Sequence, residues 1–323
     1  MSLDLTVAIP TYNGASRLPQ VLERLQNQNY PQHLQWEIII IDNNSKDNTA
    51  KLIQEYQKTW DYPFSLKYFL ETRQGAAFAR IKAIQEAQGE LVCFLDDDNL
   101  PALDWLLEAD KFAQEHPQAG AIASQIHGIY DRELPAKLKP IMFYLAINER
   151  GEQPHLYHPR RQGFPPSAGL VVRCHVWKNH VPFQPFFTGR VGSSMLGSED
   201  AEALCYIQKA GWEIWYNPAM QIEHIIPASR LEKDYLISLM RGVGLASSYL
   251  RMLILKKWQR PLAFLVYLVN DIRKVIAYFI LHWTQIHSDI RTACELERMK
   301  ATVISPFFLA KIQIQRFLQD NTR

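Results

Sequence analysis

Little in this chain points to a scaffold held by covalent links or by a cysteine-bound metal. Four cysteines, at 93, 174, 205 and 294, are spread over 323 residues. No two have metal-ligand spacing, and each sits in an apolar or helical stretch, so free thiols in a reducing compartment are expected. Unbalanced charge is also lacking: the net is +2, too small to suggest a nucleic-acid partner. Internal repeats and low-complexity tracts are absent. The first residues, Met1-Ser2-Leu3-Asp4, lack the basic and apolar regions of an export signal, so a cytoplasmic protein is expected. What the chain has is apolar bulk. At 47% hydrophobic it can bury a large core, in one large domain or two ordinary ones.

The first hundred residues alternate strand and helix patterns. Leu5–Ile9 is a short apolar run ended by Pro10 and a polar turn. A helix begins at Ser16, with Leu18, Val21, Leu22 and Leu25 on one face. Glu37–Ile41 contains four consecutive isoleucines, the pattern of a strand buried on both sides. Helix Thr49–Gln57, strand Leu66–Leu70 and helix Gln74–Gln88 follow, then the strand Glu90–Leu95. This order predicts an α/β fold with a Rossmann-like, doubly wound, mostly parallel sheet. Ligands bind such sheets at the carboxyl ends of the strands. There the chain places Asp42-Asn43 and three carboxylates, Asp96-Asp97-Asp98. Strand alternation would turn Asp96 and Asp98 one way and Asp97 the other. Carboxylates this close repel unless a cation or strong donors hold them. A hard divalent ion bridging to phosphates is one answer, a solvated acidic turn the other.

Beyond residue 120 the expectations are a strand at Ile122–Ile126 and another at Leu170–Val172. Gly169, just before the latter, would let a ligand come close to the backbone. A helix opens at Glu199-Asp200 and stops at Gly211. Closing strands are expected at Glu213–Tyr216 and Met220–His224, around Asn217-Pro218. His155 and His158 have metal-like spacing without a supporting carboxylate or cysteine and read as loop polarity. From Arg230 the pattern is helical. Pro261–Trp283 is apolar but holds Asn270, Asp271, Arg273 and Lys274 at its centre. Each central charge costs about 2.5–3.5 kcal/mol of insertion, against about 0.3–0.6 returned per apolar residue. Spanning is therefore not expected. Two shorter amphipathic helices are, serving a helical subdomain, an oligomer contact or an anionic membrane surface facing Arg251, Lys256, Lys257 and Arg260.

The order Ile9-Pro10-Thr11-Tyr12-Asn13, Ile41-Asp42-Asn43-Asn44-Ser45, Arg73-Gln74-Gly75, Phe94-Leu95-Asp96-Asp97-Asp98-Asn99, Glu199-Asp200 resembles the family 2 glycosyltransferases of GT-A fold. Ser198–Arg230 is similar to bacterial exopolysaccharide enzymes. The resemblance covers residues 4–230. It implies a catalytic domain over 1–229, with 230–323 as a C-terminal helical extension. It further implies hexosyl transfer, with inversion, from a nucleotide diphosphate sugar, UDP-linked by preference, to a carbohydrate or lipid-linked acceptor. The enzyme would then work at the inner face of the membrane.

By the same resemblance Pro10, Tyr12, Asp42, Asn43, Arg73 and Gly75 would face the nucleotide, as would Asp96 and Asp97, the latter at the ribose. Where Asn43 stands the family often has an aspartate, which leaves the base open. Asp98 would be the first metal ligand, with Asp96 and His224, around Mn2+ or Mg2+; a carboxylate–imidazole set favours Mn2+. Asp200 would be the general base and Glu199 an acceptor anchor. The acids also suit a helix N-terminus without any catalysis. A sugar-phosphate nucleotidyltransferase would need a glycine-rich phosphate loop, and Tyr12-Asn13-Gly14 offers one glycine. A non-catalytic nucleotide-sugar-binding module would be expected to lose its acidic groups, and here they are present.

Overall fold

The isoleucines at 38–41 have no access to solvent in the computed structural model, which describes residues 3–159, 163–190 and 195–320. Helices on both faces of the sheet give them that cover. The elements run β1 (Leu3–Thr11), α1 (Leu18–Gln26), β2 (Trp36–Asp42), α2 (Thr49–Lys58), β3 (Ser65–Leu70), α3 (Ala76–Glu86) and β4 (Gly89–Phe94). Then come β5 (Asn99–Pro101), α4 (Trp105–Glu115), β6 (Ala119–Tyr130), β7 (His155–Leu156), β8 (Leu170–Arg173), α5 (Cys174–His180), α6 (Glu199–Lys209) and β9 (Glu213–Ile226). Among the described residues nine strands form one sheet in the order β3-β2-β1-β4-β8-β6-β9-β5, with β7 also on β9. β1 pairs in parallel with β2 and β4, and β2 with β3. The far half is mixed: β8 is antiparallel to both β4 and β6, whereas β9 runs parallel to β6. The parallel half is the α/β arrangement expected from the sequence, and the reversed β8 is what joins it to the rest.

One expectation is corrected. The strands at Glu213–Tyr216 and Met220–His224 are a single strand, β9. Its register jumps from Ser124↔Asn217 to Gln125↔Gln221. Pro218 has no N–H for the ladder, and a bulge removes it from the pairing without ending the strand. The Asn217 side chain accepts from Ala219 N–H at 3.1 Å and closes the bulge.

The chain divides into two units. The first comprises Met1–Asp131, Leu145–Thr188 and Glu199–Ile226 and holds the sheet. The second gathers Arg132–Tyr144, Gly189–Ser198 and Pro227–Arg323. It contains three long helices, α7 (Lys233–Leu253), α8 (Arg260–His282) and α9 (Ile290–Asp320). α7 and α9 meet closely at Gly244, where a Cβ would strike the Arg298 carbonyl and Ala301. The apolar stretch expected as two short helices is one helix, α8. Its central Asp271 is buried and bound to Arg251 at 2.5 Å, so the charge is neutralised without breaking the helix. Among the described residues no helix is long and apolar enough to cross a membrane.

Candidate functional site

The carboxyl ends of β1 and β2 are tied to each other by side chains rather than left open. Asp42 accepts from Ser45 N–H and from the Tyr68 hydroxyl, each at 2.8 Å. Burial, then the Asp42 carboxylate, push the Tyr68 hydroxyl far above its ordinary range. Asn43 uses both ends of its amide. Its oxygen accepts from Gly75 N–H at 2.7 Å, and its nitrogen donates to the Arg73 and Glu71 carbonyls at 2.6 and 3.2 Å. Asn43 thereby fixes the 71–75 loop against β2. Arg73 lies over Phe78 and binds Glu71 at 2.8 Å. Gly75 has φ +135°, and a Cβ there would enter the Thr188 carbonyl. Tyr12 stands exposed just past β1.

The three carboxylates do not follow strand alternation. β4 ends at Phe94, and a turn closed by Asn99 N–H on the Asp96 carbonyl, 3.0 Å, carries residues 96–98. Each acid then finds its own partner. Asp97 accepts the Thr11 hydroxyl at 2.5 Å and the Arg17 guanidinium at 2.9 and 2.8 Å. Asp98 lies 3.6 Å from His224 Nε2, because β5 pairs Asn99 with His224. Asp96, partly exposed, lies 3.6 Å from Arg80. Although its edge meets solvent, the protein packed around Asp96 desolvates its carboxyl and holds it above the usual carboxylate range; Arg80 and His224 oppose this, while Asp98 and Asp97 add to it. Thus Asp96, Asp97, Asp98 and His224 share one electrostatic neighbourhood.

A nearly buried carboxylate beside a nearly buried imidazole is a suitable oxygen–nitrogen donor pair for a divalent ion. Among the described residues no group of three or more His, Cys, Asp or Glu side chains is gathered for a metal. Asp98 and His224 therefore make a two-donor set. Such a set suits an ion whose remaining positions go to phosphate and water.

The second acidic cluster opens α6. Asp200 accepts from Ala201 N–H at 2.8 Å and from Ser167 N–H at 3.2 Å. Burial and the neighbouring Glu199 charge raise its carboxyl to about 6, against the pull of Arg80 and the two N–H donors. Glu199 is bound by Arg80 at 2.8 Å. Gly169 has φ +66°, but the space beside it is filled by Ile222 and Ser124. Its backbone freedom serves packing, and its carbonyl accepts the Ser124 hydroxyl at 2.6 Å. His155 turns to the Gln153 carbonyl and the Tyr216 ring.

Two residues here lie outside the sequence motifs. Arg80, almost fully buried, binds Glu199 and faces Asp96, so one guanidinium lies between the two acidic clusters. The pattern does carry a signal for it: with Ala77, Ile81 and Ile84 it occupies the buried face of α3, where a lone charge implies a partner. Glu202, also buried, accepts from Phe186 and Phe187 N–H at 3.0 and 2.9 Å. It lies one turn beyond the motif, and nothing local marks it.

The family model of Glycosyl transferase family 2 matches residues 6–171. A putative teichuronic acid biosynthesis glycosyltransferase of Bacillus subtilis, TuaG, is 36% identical over 111 residues, 34% of this chain. The chain spans 42% of that relative's length. A dolichyl N-acetyl-alpha-D-glucosaminyl phosphate 3-beta-D-2,3-diacetamido-2,3-dideoxy-beta-D-glucuronosyltransferase of Methanococcus voltae is 22% identical over 287 residues, 85% of this chain and 83% of its own. Among solved structures, a mannosyltransferase from Pyrobaculum calidifontis in complex with GDP-Man and Mn2+ superposes with a TM-score of 0.60 at 20% identity. It covers 94% of this chain and 87% of its own. The fold is accordingly that of the GT-A glycosyltransferases.

Proposed function

The chain belongs to glycosyl transferase family 2, and from that premise we propose that it transfers a sugar from a nucleoside diphosphate sugar to an acceptor hydroxyl with inversion. The observation that carries the reading is the pair of acidic clusters with Arg80 between them, one opening onto the strand ends and one carrying a carboxylate at about 6. A sugar hydroxyl is too weak an acid to ionise near neutrality. Asp200, ionised yet raised, takes its proton as the new bond forms, a contribution of roughly 10²–10⁴-fold. Attack from the side opposite the departing diphosphate gives inversion in a single displacement. Glu199, held by Arg80, positions the acceptor.

At the donor end Asp98 and His224 would hold the divalent ion, Mn2+ or Mg2+, with Asp96 beside them. When bound, such an ion neutralises charge on the leaving diphosphate. Pro10, Tyr12, Asp42 and Asp97 shape the nucleoside pocket. Asn43, Arg73 and Gly75 act through the 71–75 loop that Asn43 fixes. UDP is the preferred carrier on the family resemblance. The acceptor is a carbohydrate, free or lipid-linked, and the name of the Bacillus subtilis relative supports a cell-surface polysaccharide as the destination.

The test is a panel of UDP-, GDP- and dTDP-sugars, each with Mn2+, Mg2+ or chelator, with and without glycan acceptors, read by nucleoside diphosphate release. Acceptor-stimulated release with the divalent ion is expected. Binding without release from any donor would make the protein a non-catalytic module, and formation of nucleoside triphosphate and sugar 1-phosphate when pyrophosphate is added would make it a nucleotidyltransferase.

A further inference from the structure

A surface helix of an ordinary globular unit turns its apolar stripe inward and its charges to water. α8 reverses this. Within it only Asp271 is buried, neutralised by Arg251, which also lies over the Tyr267 ring. Meanwhile Leu262, Leu265, Val269, Ile276 and Ile280 point outward at i, i+3, i+7 spacing, Val269 being 67% exposed. The helix has 23 residues, and from Leu262 to Ile280 that stripe runs about 27 Å. Trp258 and Trp283, exposed by 76% and 65%, stand at its two ends. α9 carries a shorter row, Ile304, Phe307, Ile314 and Phe317, also exposed. Large apolar side chains exposed in rows along two helices mark an interaction surface rather than the scattered single exposures of an ordinary solvated face.

Charge says what covers it. Residues 230–323 hold fifteen Lys and Arg against seven Asp and Glu, a net of +8, and the rest of the chain is at −6. An isologous contact between two copies sets this surface against itself, positive on positive. An anionic bilayer is complementary to both properties at once. Tryptophan at each end suits the headgroup level, and Arg273, inside the stripe, can extend its stem along apolar surface and keep its head in water.

We propose that α8, flanked by Trp258 and Trp283 and helped by α9, lies in the plane of an anionic lipid membrane and docks the protein there. The helix rests at the boundary of headgroups and acyl chains and does not cross. Lys256 and Lys257, exposed at its start, meet the lipid phosphates.

Flotation of the full chain with vesicles tests this, independently of any transfer reaction. One set is phosphatidylcholine alone, the other contains phosphatidylglycerol. Binding should require phosphatidylglycerol and weaken with salt. Lys256→Ala with Lys257→Ala should lower partitioning roughly 20–30-fold at low salt, about 5-fold per charge. The combined Leu265→Glu, Val269→Glu, Ile276→Glu variant should lose binding. All three positions are at the surface, so its circular dichroism and melting should match the parent. Brominated lipid should quench tryptophan fluorescence, and less so after Trp258→Phe with Trp283→Phe. The proposal is overturned if the chain ignores phosphatidylglycerol vesicles or if the triple variant floats undiminished. A dimer that the triple variant breaks, without lipid binding by the parent, assigns the face to a second copy instead.

Discussion

A general base must be ionised and still hold a proton well, and Asp200 meets both demands through its surroundings. Its carboxyl at about 6 sets an acid limb: turnover should fall as pH drops through 6. Asp200→Asn should abolish transfer and spare donor binding; near-parental turnover would pass the role to Glu199. The raised value also has a consequence for stability. The fold favours the protonated form, so that contribution is complete below the ordinary carboxylate value and is lost as pH rises through about 6. Asp200→Asn should therefore be the more stable protein near neutral pH, by up to about 3 kcal/mol, since each tenfold change in proton affinity is about 1.4 kcal/mol. The difference should fade toward pH 4 in paired thermal melts. Arg80 pulls the other way, since it lowers the Asp200 carboxyl. Arg80→Met should move the acid limb to higher pH and cost about 3–5 kcal/mol in urea unfolding, because Glu199 loses its buried partner. Arg80→Lys should recover part of both. The acids themselves are legible because carboxylates at strand and helix ends are visible in one dimension. Of their partners, His224 is reached beside Asp98 only through the family resemblance, and Thr11, Arg17 and Arg80 are not reached at all, since they come from distant segments.

Elements announce themselves where one period dominates. The isoleucine run of β2 and the Leu18, Val21, Leu22, Leu25 face of α1 are both buried, and hydrophobic spacing alone places them. β9 reads as two strands because Pro218 is a local break signal that a bulge overrides. β8 is only four residues long, and its reversed pairing is decided by β4 and β6. α8 misleads for another reason: its central charges read as an interruption, whereas Asp271 is neutralised by Arg251, 20 residues earlier in the chain. The meeting of α7 with α9 gives a prediction at this scale. Gly244 lies where a methyl group would strike the Arg298 carbonyl and Ala301. Backbone cannot yield as a flexible side-chain end can. Gly244→Ala should therefore destabilise the second unit by about 1–3 kcal/mol, although alanine favours a helix by about 1 kcal/mol. Chemical denaturation followed by helical circular dichroism would measure it, and a gain in stability would mean that the two helices separate easily.

For the molecule as a whole, the donor end predicts a linkage between nucleotide, ion and fold. A ligand that binds only the native state stabilises it by RT ln(1 + [L]/Kd), about 2.7 kcal/mol at a hundredfold excess over Kd. For a domain of about 150–250 residues each kcal/mol moves the melting point by about 2–4 °C. UDP with Mn2+ should therefore raise the transition of the sheet-bearing unit by about 5–10 °C. UDP with chelator should raise it far less, because without the ion the diphosphate charge meets Asp96 and Asp98 directly, and like charges disfavour binding. Asp98→Asn should lose the ion-dependent part, since Asp98, 3.6 Å from His224, is the proposed ligand of the ion. Asp200→Asn should keep it, since the proposed function places that carboxylate at the acceptor. GDP and dTDP in place of UDP rank the bases in the same scan. Equal shifts with Mn2+ and with chelator would remove the ion from the donor site and leave Asp98 and His224 as a structural contact. Loss of the shift in Asp200→Asn but not in Asp98→Asn would exchange the two ends of the site.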